Sequence, residues 1–205
     1  MKKQQVFYIH GGEAYSQYEN YLNHLKTSPI DPHQEARPKR WTDTLTDELG
    51  EDYEVFMPSM PNKHNSKYEE WKIWFERHFE FLHEDVILVG WSQGAMFLLR
   101  YLTENETPFT IKTLYLLAGA YRPIGGDGDD GGDFFTDLAT VSVMTERAER
   151  IVIMHSEDDF VVPYEESAHL ASLLPEAEFV SFSAHNHFLI EEFPELIEDI
   201  KVLVF

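Results

Sequence analysis

No cysteine occurs among the 205 residues. The chain therefore holds no disulfide, no thiolate metal site and no cysteine nucleophile, and cysteine usage leaves its compartment open. Basic residues are scarce: 16 Lys and Arg stand against 37 Asp and Glu, a formal net charge of −21. Nucleic acids and anionic membrane surfaces need basic side chains to meet their phosphates, so neither is expected as a partner. Long apolar runs are missing too. Nothing approaches the roughly 18 to 20 apolar residues of a membrane-spanning helix, and the first run, Val6-Phe7-Tyr8-Ile9, is too short for a signal-peptide core. A soluble cytoplasmic protein is the expectation, with the oligomeric state open and a homodimer not excluded.

What the chain does have is enough apolar material for one core: 43% of residues are hydrophobic, which at this length favours a single domain spanning 1–205. Short apolar runs recur as strand candidates, namely Val6 to Ile9, Tyr53 to Met57, Val86 to Val89, Lys112 to Ala118, Ile151 to His155 and Glu178 to Phe182. Between them lie helix-spaced segments. Trp41, Leu45 and Leu49 recur four apart before Gly50, and Tyr68, Trp71, Trp74, Phe75, Phe79 and Leu82 make an aromatic stripe read as the core face of a helix of about four turns. Gln93 to Asn105, a short segment within Phe134 to Arg150, Tyr164 to Leu174, and Phe193 to Ile200 complete the helical set. Strands alternating with helices imply a three-layer α/β/α sandwich around a mostly parallel sheet of about six strands, since each parallel return needs a crossover.

Two segments stand outside this alternation. Residues 13–40 carry Tyr15, Tyr18, Tyr21, Leu22 and Leu25 at helical spacing, then Pro29, Pro32 and Pro38. They read as an insertion or lid-like excursion near a site mouth, or as a long connection packed on the outside. Residues 125–133, Gly-Gly-Asp-Gly-Asp-Asp-Gly-Gly-Asp, suggest a flexible acidic loop. Their oxygen ligands do not follow the EF-hand spacing, and no closing glutamate is present.

The chemistry concentrates at Gly90-Trp91-Ser92-Gln93-Gly94, where the Val86–Val89 run meets a G-x-S-x-G signature and becomes helix-like. Composition alone predicts that signature about 0.03 times per chain of this length, so its position at a strand-to-helix turn adds most of the weight. In open parallel sheets, sites form beyond the carboxyl ends of strands. Ser92 follows the third strand, Asp159 the fifth and His187 the sixth. An alcohol needs a base within hydrogen-bond reach, and the base needs a carboxylate to fix its tautomer. Asp158 competes with Asp159 but is read as a turn cap. His185 competes with His187, which is favoured because Phe188 can lock its loop into the core. For the oxyanion, Gln93 offers a free amide at a helix N-terminus. The loop after the first strand offers Gly12 first and Gly11 second, and His10 is read as a buttress of that loop. Ser92 as a plain helix N-cap is the structural alternative.

His10-Gly11-Gly12, Gly90-Trp91-Ser92-Gln93-Gly94, Asp159 with Val162-Pro163, and Asn186-His187-Phe188 together resemble the α/β-hydrolase superfamily. The small size and the Met57-Pro58 through Trp71 stretch resemble its small serine hydrolases of the retinoblastoma-binding-protein-9 type. The resemblance runs from Val6 to the last helix and implies the compact α/β-hydrolase fold, with the triad on Ser92, Asp159 and His187. Two positions depart from the common pattern: Trp91 stands where many hydrolases have His, and Ser156 where many have Gly. The resemblance implies a serine hydrolase, carboxylesterase-like, that cleaves a small ester, thioester or amide through an acyl-enzyme, with a small-molecule acyl substrate and no cofactor or metal. The competing readings are a hydrolase-fold interaction module with vestigial catalysis, and C–C bond hydrolysis or acyl transfer on the same triad.

Overall fold

The computed structural model describes residues 2–30, 32, 37–123 and 130–202. Most of the glycine-rich loop expected over 125–133, and part of the 13–40 excursion, lie outside the described residues. Six strands, β1 (Gln4–Ile9), β2 (Tyr53–Phe56), β3 (Val86–Trp91), β4 (Ile111–Leu117), β5 (Ile151–Ser156) and β6 (Glu178–Phe182), form one sheet in the order β2-β1-β3-β4-β5-β6. Every pairing is parallel. The four inner strands are the most apolar because a parallel sheet covered on both faces gives them no solvent side.

Alternation along the strands splits the core in two. Phe7, Ile9, Leu88, Leu114, Leu116, Ile151 and Ile153 face one layer, built by α3 (Tyr68–Glu76), α4 (Gln93–Glu104) and α5 (Tyr164–Leu173). Val6, Tyr8, Ile87, Val89, Tyr115, Leu117, Val152 and Met154 face the other. That second layer comprises a 3₁₀ turn at Trp41–Asp43, α2 (Leu45–Leu49) and α6 (Pro194–Val202). The three-layer α/β/α sandwich expected from the sequence is the observed architecture.

The aromatic stripe is shorter as a helix than its spacing suggested. α3 ends at Glu76, and a separate 3₁₀ turn covers Phe79–Phe81. The break lets Phe79 turn inward, with its ring centroid 5.0 Å from Phe75 and 5.2 Å from Phe109. Trp74 falls off the buried face and carries the Arg77 guanidinium 5.9 Å from its ring. In the 13–40 excursion, the helical spacing does form α1 (Tyr18–Thr27), yet none of its residues is buried. It is the segment before α1 that packs: Tyr15 and Ala14 are fully buried, and Glu13 exchanges backbone bonds with the 63–66 turn through Glu13 N–H to Lys63 O (2.8 Å) and Ser66 N–H to Glu13 O (2.8 Å).

Between β3 and α4 the chain reverses so tightly that two glycines are sterically required. A Cβ on Gly90 would lie 2.6 Å from the Gly94 carbonyl oxygen, and one on Gly94 would run into the Ile9 carbonyl and come within 2.9 Å of the His10 oxygen. The N-terminus of α4 is thereby pressed against the end of β1. Gly94→Ala has no flexible side chain to displace, only backbone. It is expected to cost about 1–3 kcal/mol or more by overpacking, read as a lower urea midpoint with an unchanged m-value; a wild-type midpoint would refute this account of the turn.

Candidate active site

The tight reversal fixes Ser92 at φ 55°, ψ −118°, a strained conformation for a residue with a side chain, worth about 1–3 kcal/mol. Several bonds hold it there. Ser92 N–H donates to Leu117 O at 2.8 Å, while Ser92 O accepts from Ala95 N–H and Met96 N–H. With its own amide spent on β4, Ser92 leaves Gln93 to open α4, whose first amides have no preceding turn to bond. The same geometry turns the Ser92 side chain toward a cavity of about 530 Å³, whose lining includes Gly11, Gly12, Trp91, Ser92, Gln93 and His187. Ser92, Gln93, His187, Gly11 and Gly12 meet at this one cavity, and Asp159 lies behind His187.

Asp159 is the most heavily ligated side chain of the region, and its side chain is fully buried. Oδ1 accepts from Val161 N–H (2.8 Å) and Val162 N–H (2.9 Å). Oδ2 lies 2.7 Å from His187 Nδ1 and 3.0 Å from His155 Nε2. Burial alone would push this carboxyl up, but the bonds from His155 and His187, the His187 charge and the Val162 amide outweigh it, so its pKa lies well below the usual carboxylate range. A carboxylate only accepts, so His187 must carry its proton on Nδ1. In the neutral imidazole that tautomer leaves the lone pair on Nε2. Ser92 Oγ and His187 Nε2 are not hydrogen-bonded to each other; such contacts are often long without substrate and tighten in the complex.

His155 was not singled out in the sequence, where it simply closes an apolar run. It is fully buried, and the two neighbours of its Nε2, Asp159 Oδ2 and Val162 O (3.1 Å), are both acceptors. Nε2 therefore bears the hydrogen, and Nδ1 accepts from Ser167 Oγ at 2.7 Å. His155 gives Asp159 a second imidazole donor from inside the core. A histidine at the carboxyl end of a strand, four residues before a candidate aspartate, was the available signal.

The rejected alternatives also have defined places. Asp158 Oδ1 accepts from Ser156 Oγ (2.5 Å) and Asn186 N–H (2.8 Å), and Ser156 Oγ in turn accepts from His185 N–H (3.0 Å). Asp158 thus ties the β5 loop to the β6 loop. The His185 ring turns away from the cavity, 4.3 Å from the Phe182 ring and 3.4 Å from Glu195 Oε1. Phe188 is fully buried and lies 4.9 Å from Phe193.

Two tryptophans hold the histidine loop from below. Trp91 Nε1–H donates to His187 O (3.0 Å) and Trp41 Nε1–H to Phe188 O (3.1 Å). The sequence showed Trp41 only as a helix-spaced apolar residue, and Trp91 only as a departure from a common pattern. On the other wall, a Cβ added to Gly11 would lie 3.1 Å from Ser92 Cβ, whereas one on Gly12 would meet Lys63 O at 2.9 Å and Ser66 Oγ at 3.0 Å. His10 ties that loop down: Met60 N–H donates to its Nε2 at 2.8 Å, which places the ring hydrogen on Nδ1 against Gly11 O at 2.6 Å. Burial lowers its pKa, partly opposed by the bond to Gly11, and the Lys63 charge lowers it further.

Comparison with known proteins agrees with this picture at the level of fold and family. Across 98% of both chains, the product of the ydeN gene of B. subtilis superposes with a TM-score of 0.75 at 20% identity. A meta-cleavage product hydrolase from Pseudomonas fluorescens covers 98% of this chain and 90% of its own, with a TM-score of 0.64 at 15% identity. Est1E from Butyrivibrio proteoclasticus covers 98% and 86%, with a TM-score of 0.58 at 14% identity. At these identities the likeness is one of fold. No curated protein matches the chain in sequence, and the retinoblastoma-binding-protein-9 type has no separate support among these neighbours. The profile of the family described as "Serine hydrolase" matches residues 30–203, and the chain belongs to that family, as a serine hydrolase of the α/β-hydrolase type.

Proposed function

We propose that this hydrolase cleaves a small carboxylic ester, thioester or amide with Ser92 as nucleophile, His187 as proton shuttle and Asp159 as the group that orients it. The observation that carries the reading is the buried Asp159 carboxylate, bonded to His187 Nδ1 at 2.7 Å, with His187 and the strained Ser92 lining the same cavity. His187 Nε2 takes the Ser92 hydroxyl proton as Oγ bonds to the acyl carbon. The carbonyl oxygen becomes an oxyanion, held by the Gln93 amide and by a loop amide after β1, Gly12 first and Gly11 second. Collapse breaks the bond to the leaving group, which departs with the proton from His187. Water then attacks the acyl-enzyme, gives its proton to His187 Nε2, and the acid leaves as Ser92 regains its hydrogen. The partner is a small acyl molecule. Nucleic acid and membrane are not proposed, given the formal charge of −21. Among the described residues no helix is long and apolar enough to cross a membrane.

The assignment separates residues that look alike in sequence. Ser92→Ala is expected to abolish labelling by a fluorophosphonate probe with an unchanged circular dichroism spectrum; persistent labelling would refute it. Asp159→Asn should lower kcat/KM for a p-nitrophenyl ester on the order of 10³- to 10⁴-fold, while His185→Gln should stay within a few-fold of wild type. The reverse ranking would move the triad to the other pair.

Asp159 also makes a stability prediction. Its pKa is lowered in the folded protein, so its contribution is complete above the ordinary carboxylate value near 3.9 and declines as pH falls below that value toward the folded pKa. The unfolding free-energy difference between wild type and Asp159→Asn should therefore be constant from pH 7 to about pH 5 and shrink below about pH 4. Urea titrations at a series of pH values test this; a gap that widens on acidification would overturn it.

A further inference from the structure

Beside the cavity at Ser92 lies a second one of about 340 Å³. Gly11, Arg40, Lys63 and Trp91 border both cavities, so the two meet at the wall next to the nucleophile. In a chain with more than twice as many acidic as basic residues, this second cavity has the opposite balance. Arg37, Arg40 and Lys63 line it against Asp43 alone. Asp43 is already committed: Arg37 holds it through two bonds of 2.8 and 2.5 Å, and those bonds, with the Arg40 amide and the charges of both arginines, bring its pKa down to about 2. Arg40 and Lys63 make no ion pair within 4.0 Å among the described residues, and the Arg40 guanidinium lies over the Trp91 ring at 5.7 Å. Tyr8 adds a hydroxyl to the same cavity. Burial raises its pKa, while the charges of Arg40 and Arg37 act on it in the other direction, so it stays a neutral O–H donor beside the cations. His10, neutral and bonded to Met60 and Gly11, adds no charge.

We propose that this second cavity is an oxyanion-recognising subsite, in which Arg40 and Lys63, with the Tyr8 hydroxyl, hold a carboxylate or phosphate group of the substrate whose acyl carbon lies at Ser92. Two cations beside the Ser92 cavity that make no ion pair among the described residues, in a protein otherwise rich in carboxylates, supply charge-assisted donors for a bound anion. Arg40 contributes a planar fork, pre-oriented on Trp91, and Lys63 a point charge. The substrate class is then an ester or amide carrying a second, anionic end.

This inference rests on Ser92 being the nucleophile, and the test separates the two. The p-nitrophenyl monoester of glutaric acid and p-nitrophenyl pentanoate differ chiefly in the terminal carboxylate. Wild type is expected to favour the anionic ester in kcat/KM by about tenfold or more, and Arg40→Gln/Lys63→Gln to lose that ratio, as expected for removing charged partners of a bound anion. Turnover of both esters with equal kcat/KM would overturn the subsite and leave the triad standing. Turnover of neither, with no fluorophosphonate label, would overturn the triad, and calorimetry then decides the subsite on its own. Titration of wild type and Ser92→Ala with glutarate, glycerol phosphate and the uncharged glutaramide should show binding of one or both anions, at least tenfold weaker in the double variant, and none of the diamide. The tighter anion identifies the group, and binding that ignores charge, or no anion binding at all, overturns the proposal.

Discussion

A single buried carboxylate organises the end of the molecule that carries the candidate active site. Asp159 has no solvent to stabilise its charge, and a buried charge is costly unless donors replace the water. Four do so: the amides of Val161 and Val162 on one oxygen, and the imidazoles of His187 and His155 on the other. The amides come from the same turn, so that turn cannot relax without exposing the charge. The imidazoles come from the end of β5 and the loop after β6, so the charge also clamps two neighbouring strands of the parallel sheet at their carboxyl ends. Holding the His187 Nδ1–H on Asp159 also fixes the ring's orientation and tautomer, which is what the proposed role of Nε2 as base requires.

The loop bearing His187 would still be free to swing about that one bond, and the rest of the packing prevents it. Asn186 and Phe188 both adopt positive φ, 43° and 53°, which for non-glycine residues has to be compensated. Compensation comes from both sides. The Trp91 and Trp41 indoles take the carbonyls of His187 and Phe188, and Asp158 with Ser156 takes the amides of Asn186 and His185. Phe188 then buries its ring against Phe193 and Phe182. Ser156 and Trp91, the two departures from the common hydrolase pattern, both contribute to this. Each supplies a polar atom that glycine lacks or, for Trp91, a donor long enough to cross beneath the histidine.

Much of the architecture was legible in the sequence because it depends on local pattern. All six strands were readable as apolar runs between breakers, and the turn at Ser92 as glycines flanking a serine at a change of period. What was not legible depends on distance in sequence. Trp41 acts on a carbonyl 147 positions away and Trp91 on one 96 positions away, and no local spacing encodes either contact. His155 was hidden for a different reason: strand burial makes a histidine at the end of an apolar run look like part of the run. The α1 segment was legible only in part. Its tyrosines and leucines have helical spacing, and the helix forms, but it presents no buried residue, since periodicity specifies a face and not what covers it.

Net charge is the feature for which sequence and site diverge most. The sum of −21 is a property of the whole surface and governs solubility and long-range repulsion, whereas recognition is decided within a Debye length of roughly 8–10 Å. The cations that border the second cavity are drawn from segments far apart in the chain: Arg37 and Arg40 precede the turn at Trp41, and Lys63 sits in the turn that Glu13 ties to the β1 loop. Arg40 lies over Trp91, which precedes Ser92 and also carries the His187 carbonyl. One indole therefore connects the charged wall to the His187 loop through a rigid ring. The Trp91 indole that lies under Arg40 is the same side chain that supports His187, so the cationic wall and the histidine loop are held by common packing.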